Sequence, residues 1–460
     1  MKDSRLLDAF LSIHPQVRFI HLQWLDYTST VRARVFPLAQ IREMLATNQM
    51  HRLGGLNMTL IDDSAPLTVN NPSGPVGEPV GQARLRPDMA SIHLCPGLDG
   101  HASVVCNFES VSVHADEGAL GPDEISAFCP RSALQRSVAR AAQAGFGFLV
   151  GFEIEFVCVP KVGRAMGVHQ TSGLRTLEAY MMTVLCHLSE ELTKSGMPIQ
   201  HFHAEGKHNQ YEVATVPLPP LQAVDAFIAT REAIHRIGRA HGMEVSFHPW
   251  DPDQNGVHLN LSLHRAAKSG HVANWDSTAD VGATEDSFLA GLLRHLDALF
   301  AIGFPYSDCY QRTRPGHRGT GCYKAWGTQN RELPIRKKGA GFWELRFADA
   351  STQTYLFLAA LIAAGLDGVE HQVSLQLADC KVDPNMISED QRQALGITER
   401  LPSGPEEATN ALRADTALWS TLGEELLSVY TRVLHEYNRR LDKVGTLDSV
   451  ERRNWLTDRM

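Results

Sequence analysis

Gly151-Phe152-Glu153-Ile154-Glu155-Phe156-Val157-Cys158-Val159 is the stretch from which the fold is read. The run is apolar and β-branched, the composition of a strand. Side chains alternate along a strand, so Phe152, Ile154 and Phe156 share one face and Glu153 and Glu155 share the other. Two neighbouring carboxylates repel unless a cation lies between or above them. A solvated acidic face is the plain alternative for so short a pattern. Later segments repeat the device. In Gly256-Val257-His258-Leu259-Asn260-Leu261-Ser262, three apolar residues face one way and His258, Asn260 and Ser262 face the other. Phe342-Trp343-Glu344-Leu345-Arg346-Phe347 places Glu344 and Arg346 on one face. Between them in kind is His201 to Val213, which carries Glu205 and Glu212.

The chain has 460 residues, room for two or more domains and a large core. It is 43% hydrophobic and 21% charged, the balance of a globular enzyme. A net charge of −9 and the lack of a long basic run argue against a nucleic-acid partner. Eight cysteines with no CxxC argue against a structural zinc site or a disulfide scaffold and lead us to expect a reducing, cytoplasmic compartment. Met1 to Arg5 has no apolar segment of the signal-peptide kind, and no apolar run reaches membrane-spanning length, so no membrane partner is expected. Ala359 to Ala364 is apolar but short, and reads as a buried helix.

In chain order, a short helix is expected over 5–14, strands over Phe19–Asp26 and Val31–Phe36 with Tyr27-Thr28-Ser29-Thr30 as the turn, and a helix over 38–48. Asn70 to Pro75 is a loop break, and two strands lie between Leu85 and Cys106. This α+β unit is placed at 1–115, and the polar link Glu117 to Pro122 leads to a second unit at 123–460. There, helices are expected over Pro130–Ala144, 174–196 and Leu221–His241, with a strand over Glu244–Phe247. Further helices fill most of 354–375 and 404–440.

The polar faces carry Glu153, Glu155, Glu205, Glu212, His258 and Glu344. Hard oxygen donors in that number suit Mg²⁺, and one imidazole also admits Mn²⁺. Six such ligands are enough for two ions about 4 Å or more apart, the spacing of two-metal phosphoryl-transfer sites. Between His258 and Glu344 lie Arg312, Arg314, Arg318, Arg331 and Arg336, whose guanidinium forks match carboxylate and phosphate. Taken singly, each Arg also fits a surface charge and His258 a satisfied core histidine.

Gly151 to Phe156 resembles the G-x-E-x-E-F strand of the glutamine synthetase superfamily. Glu205 to Glu212, with Gln210, resembles its E-x(4)-Q-x-E segment. Gly256 to Leu263 resembles G-M-H-x-H-x-S-L, and Arg312 to Gly316 resembles R-L-x-P-G. Ala325-Trp326, Asn330-Arg331 and Arg336 resemble A-W-x(3)-N-R-x(4)-R. Glu344 to Asp349 with Tyr355-Leu356, and then Leu366-Asp367-Gly368, follow in register. The resemblance covers nearly the whole chain. It implies an α+β fold: an N-terminal β-grasp-like domain followed by a glutamine synthetase-type catalytic half-barrel with helices. It implies ATP as co-substrate, with Glu155, Glu205 and Glu212 on one Mg²⁺ or Mn²⁺ and Glu153, His258 and Glu344 on the other. Arg312 and Arg346 would grip the acid substrate, Arg331 and Arg336 would act on the transferring phosphoryl group, and Ser262, Asn260 and Arg336 would lie on the nucleotide. The activity implied is amide formation from an acid and an amine through an acyl phosphate. The assembly implied is a large homo-oligomer of two stacked rings with sites between subunits.

The departures fall on the ammonia side. The family's loop Glu, three residues after the P-G proline, is replaced by Arg318 or Gly319, neither of them a base at neutral pH. The D-G-S-S element has no counterpart, its nearest text being Arg52-Leu53-Gly54-Gly55-Leu56. The second His of H-x-H is Asn260, and the family's N-G is Asp253-Gln254. His51, His317 and Glu332 are substitute bases by position alone. The expectation is therefore a ligase that uses an organic amine, with glutamine synthetase proper or a non-catalytic relative as the alternatives.

Overall fold

The fold is a computed structural model that describes residues 2–60, 82–110, 127–161, 169–249, 254–265, 282–317 and 319–444. The Asn70–Pro75 break, the Glu117–Pro122 link, Asp253 and Arg318 lie outside these residues. In the N-terminal part, β1 (Phe19–Leu25), β2 (Val31–Pro37), β3 (Arg52–Gly54), β4 (Gln82–Pro87), β5 (His93–Leu94) and β6 (His101–Ser110) form one sheet. Its order is β2-β1-β6-β4-β3, with β1 and β6 parallel and β5 paired to β6. The hairpin turn between β1 and β2 is tied by the buried Asp26 carboxylate. It accepts from Thr28 N at 2.9 Å, Thr30 N at 3.0 Å and Arg32 Nε at 2.7 Å.

The larger sheet is built on β7 (Phe146–Pro160), β8 (Ile199–Ala204), β9 (Gln210–Thr215), β10 (Met243–Ser246), β11 (Val257–Arg265), β12 (Trp326–Thr328), β13 (Ile335–Gly339) and β14 (Phe342–Ala348). It runs β12-β13-β14-β11-β7-β9-β8, with β10 also paired to β7, and curls into a half-barrel. The alternation expected for the central strand holds. Phe152, Ile154 and Phe156 are buried, and Glu153 and Glu155 face the other way, partly accessible. The apolar side packs on the helix Pro220–Ala240, where Phe152 and Phe227 ring centroids lie 4.7 Å apart. That apolar layer fixes the register of β7, because a slip of one residue would exchange the two faces.

The α+β class and the order of elements agree with the sequence expectation, with local differences. The 404–440 region holds three helices, Pro405–Ala414, Thr416–Leu422 and Glu424–Val444. Asp415 restarts the chain by capping Leu418 N at 3.0 Å, and Gly423 has φ 108°. Leu85 to Cys106 contributes parts of three strands, and the short β3, β8 and β12 had no distinctive pattern. The helix Thr354–Glu370 is buried over nearly its whole length. It fills most of the 354–375 stretch expected to be helical and ends at Glu370.

The turn after β1 docks on the larger unit. Arg231 donates to Ser29 O at 2.9 Å and Ala350 O at 2.8 Å, and Gln353 donates to Asp26 O at 2.8 Å. Behind the larger sheet, the helices Gly282–Arg294 and Thr354–Glu370 approach so closely that a Cβ on Gly291 would lie 2.3 Å from Ala364 O. Gly291→Ala should therefore destabilise the fold by about 1–3 kcal/mol, as overpacked cores do. Scanning calorimetry should show a lower Tm, and an unchanged Tm would mean that this contact yields without strain.

Candidate active site

Strand register assembles the site. On one ladder, Glu155 of β7 pairs with Glu212 of β9, which pairs with His203 of β8. On the other, Glu153 of β7 pairs with His258 of β11. One step along, Asn260 of β11 pairs with Glu344 of β14, which pairs with Arg336 of β13. Directly opposed residues on one face stand about 4.5–5.5 Å apart at Cβ. Six adjoining strands therefore bring charged side chains from distant segments onto a single polar face. Each is held from behind by the buried apolar residues between them in sequence.

Two compact donor groups result: Glu153, His258 and Glu344, and Glu155, Glu212 and His258, each with donor atoms within 4.8 Å of one another. His258 Nδ1 lies 3.2 Å from Glu153 Oε2 and 3.7 Å from Glu344 Oε1, and its Nε2 lies 3.8 Å from Glu155 Oε1. Glu205 is outside both groups. Its Oε2 accepts from Gly206 N at 2.7 Å, and its Oε1 faces His203 Nε2 at 3.3 Å. A cavity of about 880 Å³ opens over this face, lined by Glu153, Glu155, Glu205, Glu212, His258, Arg312, Arg331 and Arg346 among others.

The arginines divide by environment. Arg312 is buried, lies against Gly256 and donates to Ala348 O at 3.0 Å. Arg346 donates to Glu344 and, through Nε, to Gly319 O at 2.5 Å. Arg331 is exposed at the rim. Arg336 is held by Glu344 Oε2 at 2.7 Å and Gln329 Oε1 at 2.6 Å, and is not among the cavity-lining residues. Asn260 donates to Glu153 Oε1 at 3.0 Å and accepts from Lys338 Nζ at 2.9 Å. Ser262 Oγ donates to Leu149 O at 3.3 Å and also lies 2.8 Å from His264 Nε2.

On the ammonia side, Gly319 sits in the cavity wall with φ 111°, where side chains are strained. His317, Glu332 and Gln254 also line the cavity, whereas His51 meets Phe36 edge-on by the N-terminal sheet. Arg52–Gly54 is strand β3, and Gly55–Met58 is a short 3-10 turn. Sequence reasoning missed His201, His203 and Lys338. Each was within reach of the two-residue period, since His201 and His203 share a face of β8 and Lys338 follows Arg336 by two on β13.

The electrostatics are those of a site that lacks positive charge. Burial, followed by repulsion from Glu153, Glu155, Glu205 and Glu344, pushes the Glu212 carboxyl up to about 9. Burial also works against the Glu153 carboxylate. There the His258 hydrogen bond, His258 and Lys338 outweigh it and hold Glu153 well below the usual range. Burial opposes Glu344 too, and is outweighed by Arg346 and His258, so its pKa lies below the ordinary value. The buried His258 Nε2 makes no hydrogen bond. Crowded carboxylate oxygens, one unbonded imidazole nitrogen and a carboxyl that would rather stay protonated fit hard divalent cations such as Mg²⁺.

A prediction follows from Glu212. Its folded pKa lies above its unfolded value, so the folded state binds the extra proton between them. The metal-free protein therefore loses stability as pH rises from about 4.5 toward 9. Glu212→Gln removes the repulsion, so it should raise the metal-free Tm at pH 8 by a few degrees. The same substitution should remove the part of the Mg²⁺-induced Tm gain that comes from the Glu155–Glu212–His258 group. A lower metal-free Tm in the variant would contradict this electrostatic picture.

A profile for the glutamine synthetase catalytic domain matches residues 127–448. Protein fluG of Emericella nidulans is 30% identical over the whole of this chain, which spans half of that protein's length. Gamma-glutamylpolyamine synthetase GlnA3 of Streptomyces coelicolor is 29% identical over 95% of this chain and 91% of its own. Among solved structures, GmaS with ADP superposes with a TM-score of 0.77 at 21% identity, covering 97% of this chain and 99% of that one. A structure described as a novel glutamine synthase homolog gives 0.75 at 25%, covering 96% and 99%. The ordered acidic strands, the half-barrel that carries them and these matches agree: the chain belongs to the glutamine synthetase family of ATP-dependent C–N ligases.

Proposed function

We propose that this protein joins a carboxylic acid to an organic amine, using ATP and an acyl-phosphate intermediate. The observation that carries the reading is one cavity lined by Glu153, Glu155, Glu212 and His258 beside Arg312 and Arg346, with Glu344 buried behind His258 at 3.7 Å. Glu155, Glu205 and Glu212 would hold one Mg²⁺ or Mn²⁺, and Glu153, His258 and Glu344 the other. When bound, these ions neutralise phosphate charge and orient the phosphoryl group. Glu205 would join its set through Oε2, which accepts from Gly206 N, with Oε1 kept toward His203.

The acid's carboxylate oxygen attacks the γ-phosphorus, the bond to the bridging oxygen breaks, and ADP leaves. The neutral amine nitrogen then attacks the acyl carbon, the bond to the phosphate oxygen breaks, inorganic phosphate leaves with the proton lost by nitrogen, and an amide remains. Arg312 and Arg346 are assigned to the acid. Arg331, at the rim, is assigned to charge on the transferring group. Arg336 fixes Glu344 through its 2.7 Å bond and so carries the phosphoryl role from behind the cavity wall. Asn260, Ser262 and Arg336 are the nucleotide assignments. The same reading divides the chain at 1–115 and 123–460. It makes the assembly a two-ring homo-oligomer in which a neighbour's N-terminal unit completes each site.

The choice of an organic amine rests on what stands at the family's ammonia positions. Ammonium must be attracted and deprotonated; a guanidinium such as that of Arg318 does neither, and nor does Gly319, whose carbonyl is already bonded to Arg346. An organic amine brings binding energy of its own. The name of the 29%-identical GlnA3, gamma-glutamylpolyamine synthetase, supports this class of nucleophile.

The test is ADP release with Mg²⁺-ATP and glutamate as the first acid of a panel, with ammonium, alkylamines and polyamines compared. Turnover with at least one organic amine should exceed that with ammonium by about tenfold or more, a difference of roughly 1.4 kcal/mol in activation free energy. Ammonium as the best nucleophile would return the protein to glutamine synthetase proper. No ADP release with any pair would favour a non-catalytic role.

A further inference from the structure

His201, His203 and Glu212 form a third donor group on the same polar face, and neither ion assigned above uses its two imidazoles. One donor atom from each lies within 4.8 Å of the others. The two histidines alternate on β8, with ring centroids 5.8 Å apart, and His203 stands directly opposite Glu212 on β9. We propose that His201, His203 and Glu212 form a separate binding site for a late first-row divalent cation of the Zn²⁺ or Co²⁺ kind.

Donor type separates this site from the other two. Two imidazoles and one carboxylate favour Zn²⁺ and its neighbours over Mg²⁺, which prefers oxygen. The arrangement also has the support that metal-binding histidines need. Glu205 Oε1 lies 3.3 Å from His203 Nε2, leaving Nδ1 turned toward Glu212 Oε1 at 4.0 Å. A carboxylate on the far nitrogen fixes the ring and raises its basicity as a ligand. Glu212 is buried, while His201 is exposed at the cavity, so the group has a rigid anchor and an entry path. A carboxylate offers about four lone-pair positions, so Glu212 can serve this cation and the Glu155–His258 group together. β8 ends the described sheet on this side, which leaves solvent to complete the coordination.

The experiment is a Co²⁺ titration of the full chain in excess Mg²⁺, followed by calorimetry and visible absorption. One equivalent should bind with bands of imidazole ligation, and His201→Ala should weaken it by at least about tenfold. The variant should keep the Mg²⁺-induced rise in Tm, which shows an intact fold and an intact carboxylate site. Zn²⁺ X-ray absorption on the unaltered protein, again in excess Mg²⁺, should show two imidazole ligands, and it decides the matter if the variant does not fold. Equal Co²⁺ affinity in a folded His201→Ala, or fewer than two imidazoles around Zn²⁺, would overturn the site. Neither readout uses ligase turnover, so failure here leaves the proposed activity standing, and the reverse.

Discussion

Everything in this structure answers to one constraint, the mutual repulsion of carboxylates gathered on one sheet face. Glu212 feels it most. It is buried, and Glu153, Glu155, Glu205 and Glu344 all disfavour its ionised form. Buried charge persists only when it is paired or when it holds a cation. Some pairing is internal, since Glu344 is gripped by Arg336 and Arg346 and Glu153 by Asn260 and His258. Among the described residues, the ion-pair partners within reach are one imidazole each: His258 Nε2 for Glu155, at 3.8 Å, and His203 Nδ1 for Glu212, at 4.0 Å. The imbalance therefore sits beside β9, where the donors are oxygens and the unbonded His258 Nε2.

Such a cluster needs a rigid support. The apolar reverse of β7 supplies it, with Phe152 against Phe227 and Phe156 against Phe247 at 5.9 Å. The close glycine-mediated crossing of two helices behind the sheet adds to that rigidity. Because the three donors of each of the two main groups come from three different strands, no local motion can spread them apart without breaking ladder hydrogen bonds. The strain is left for cations to relieve, which is how a fold can couple its stability to the ions its chemistry uses.

How much of this was legible in the sequence varied with the range of the interaction. Glu153 and Glu155 were legible because a strand's period is fixed and their neighbours are unmistakably apolar. The fold class followed from ordered motifs along the chain. The pairing of β8 against β9 was not legible, since it depends on register; the two-residue period puts His201 and His203 on one face, but only that register sets His203 opposite Glu212. Arg336 was visible as a charge, but only the β13–β14 register shows that it faces Glu344 rather than the cavity. The breaks at Asp415 and Gly423 were not located because helices of 10, 7 and 21 residues in succession share the periodicity of one unbroken helix.

The central claim is that this face is incomplete without divalent cations. Equilibrium dialysis of the protein against Mg²⁺ at pH 7.5, with bound metal determined by atomic absorption, tests it most directly. The account predicts two Mg²⁺ per chain at saturation, as expected of two oxygen-rich groups. Saturation with no bound Mg²⁺, in a protein that is nonetheless folded, would contradict it.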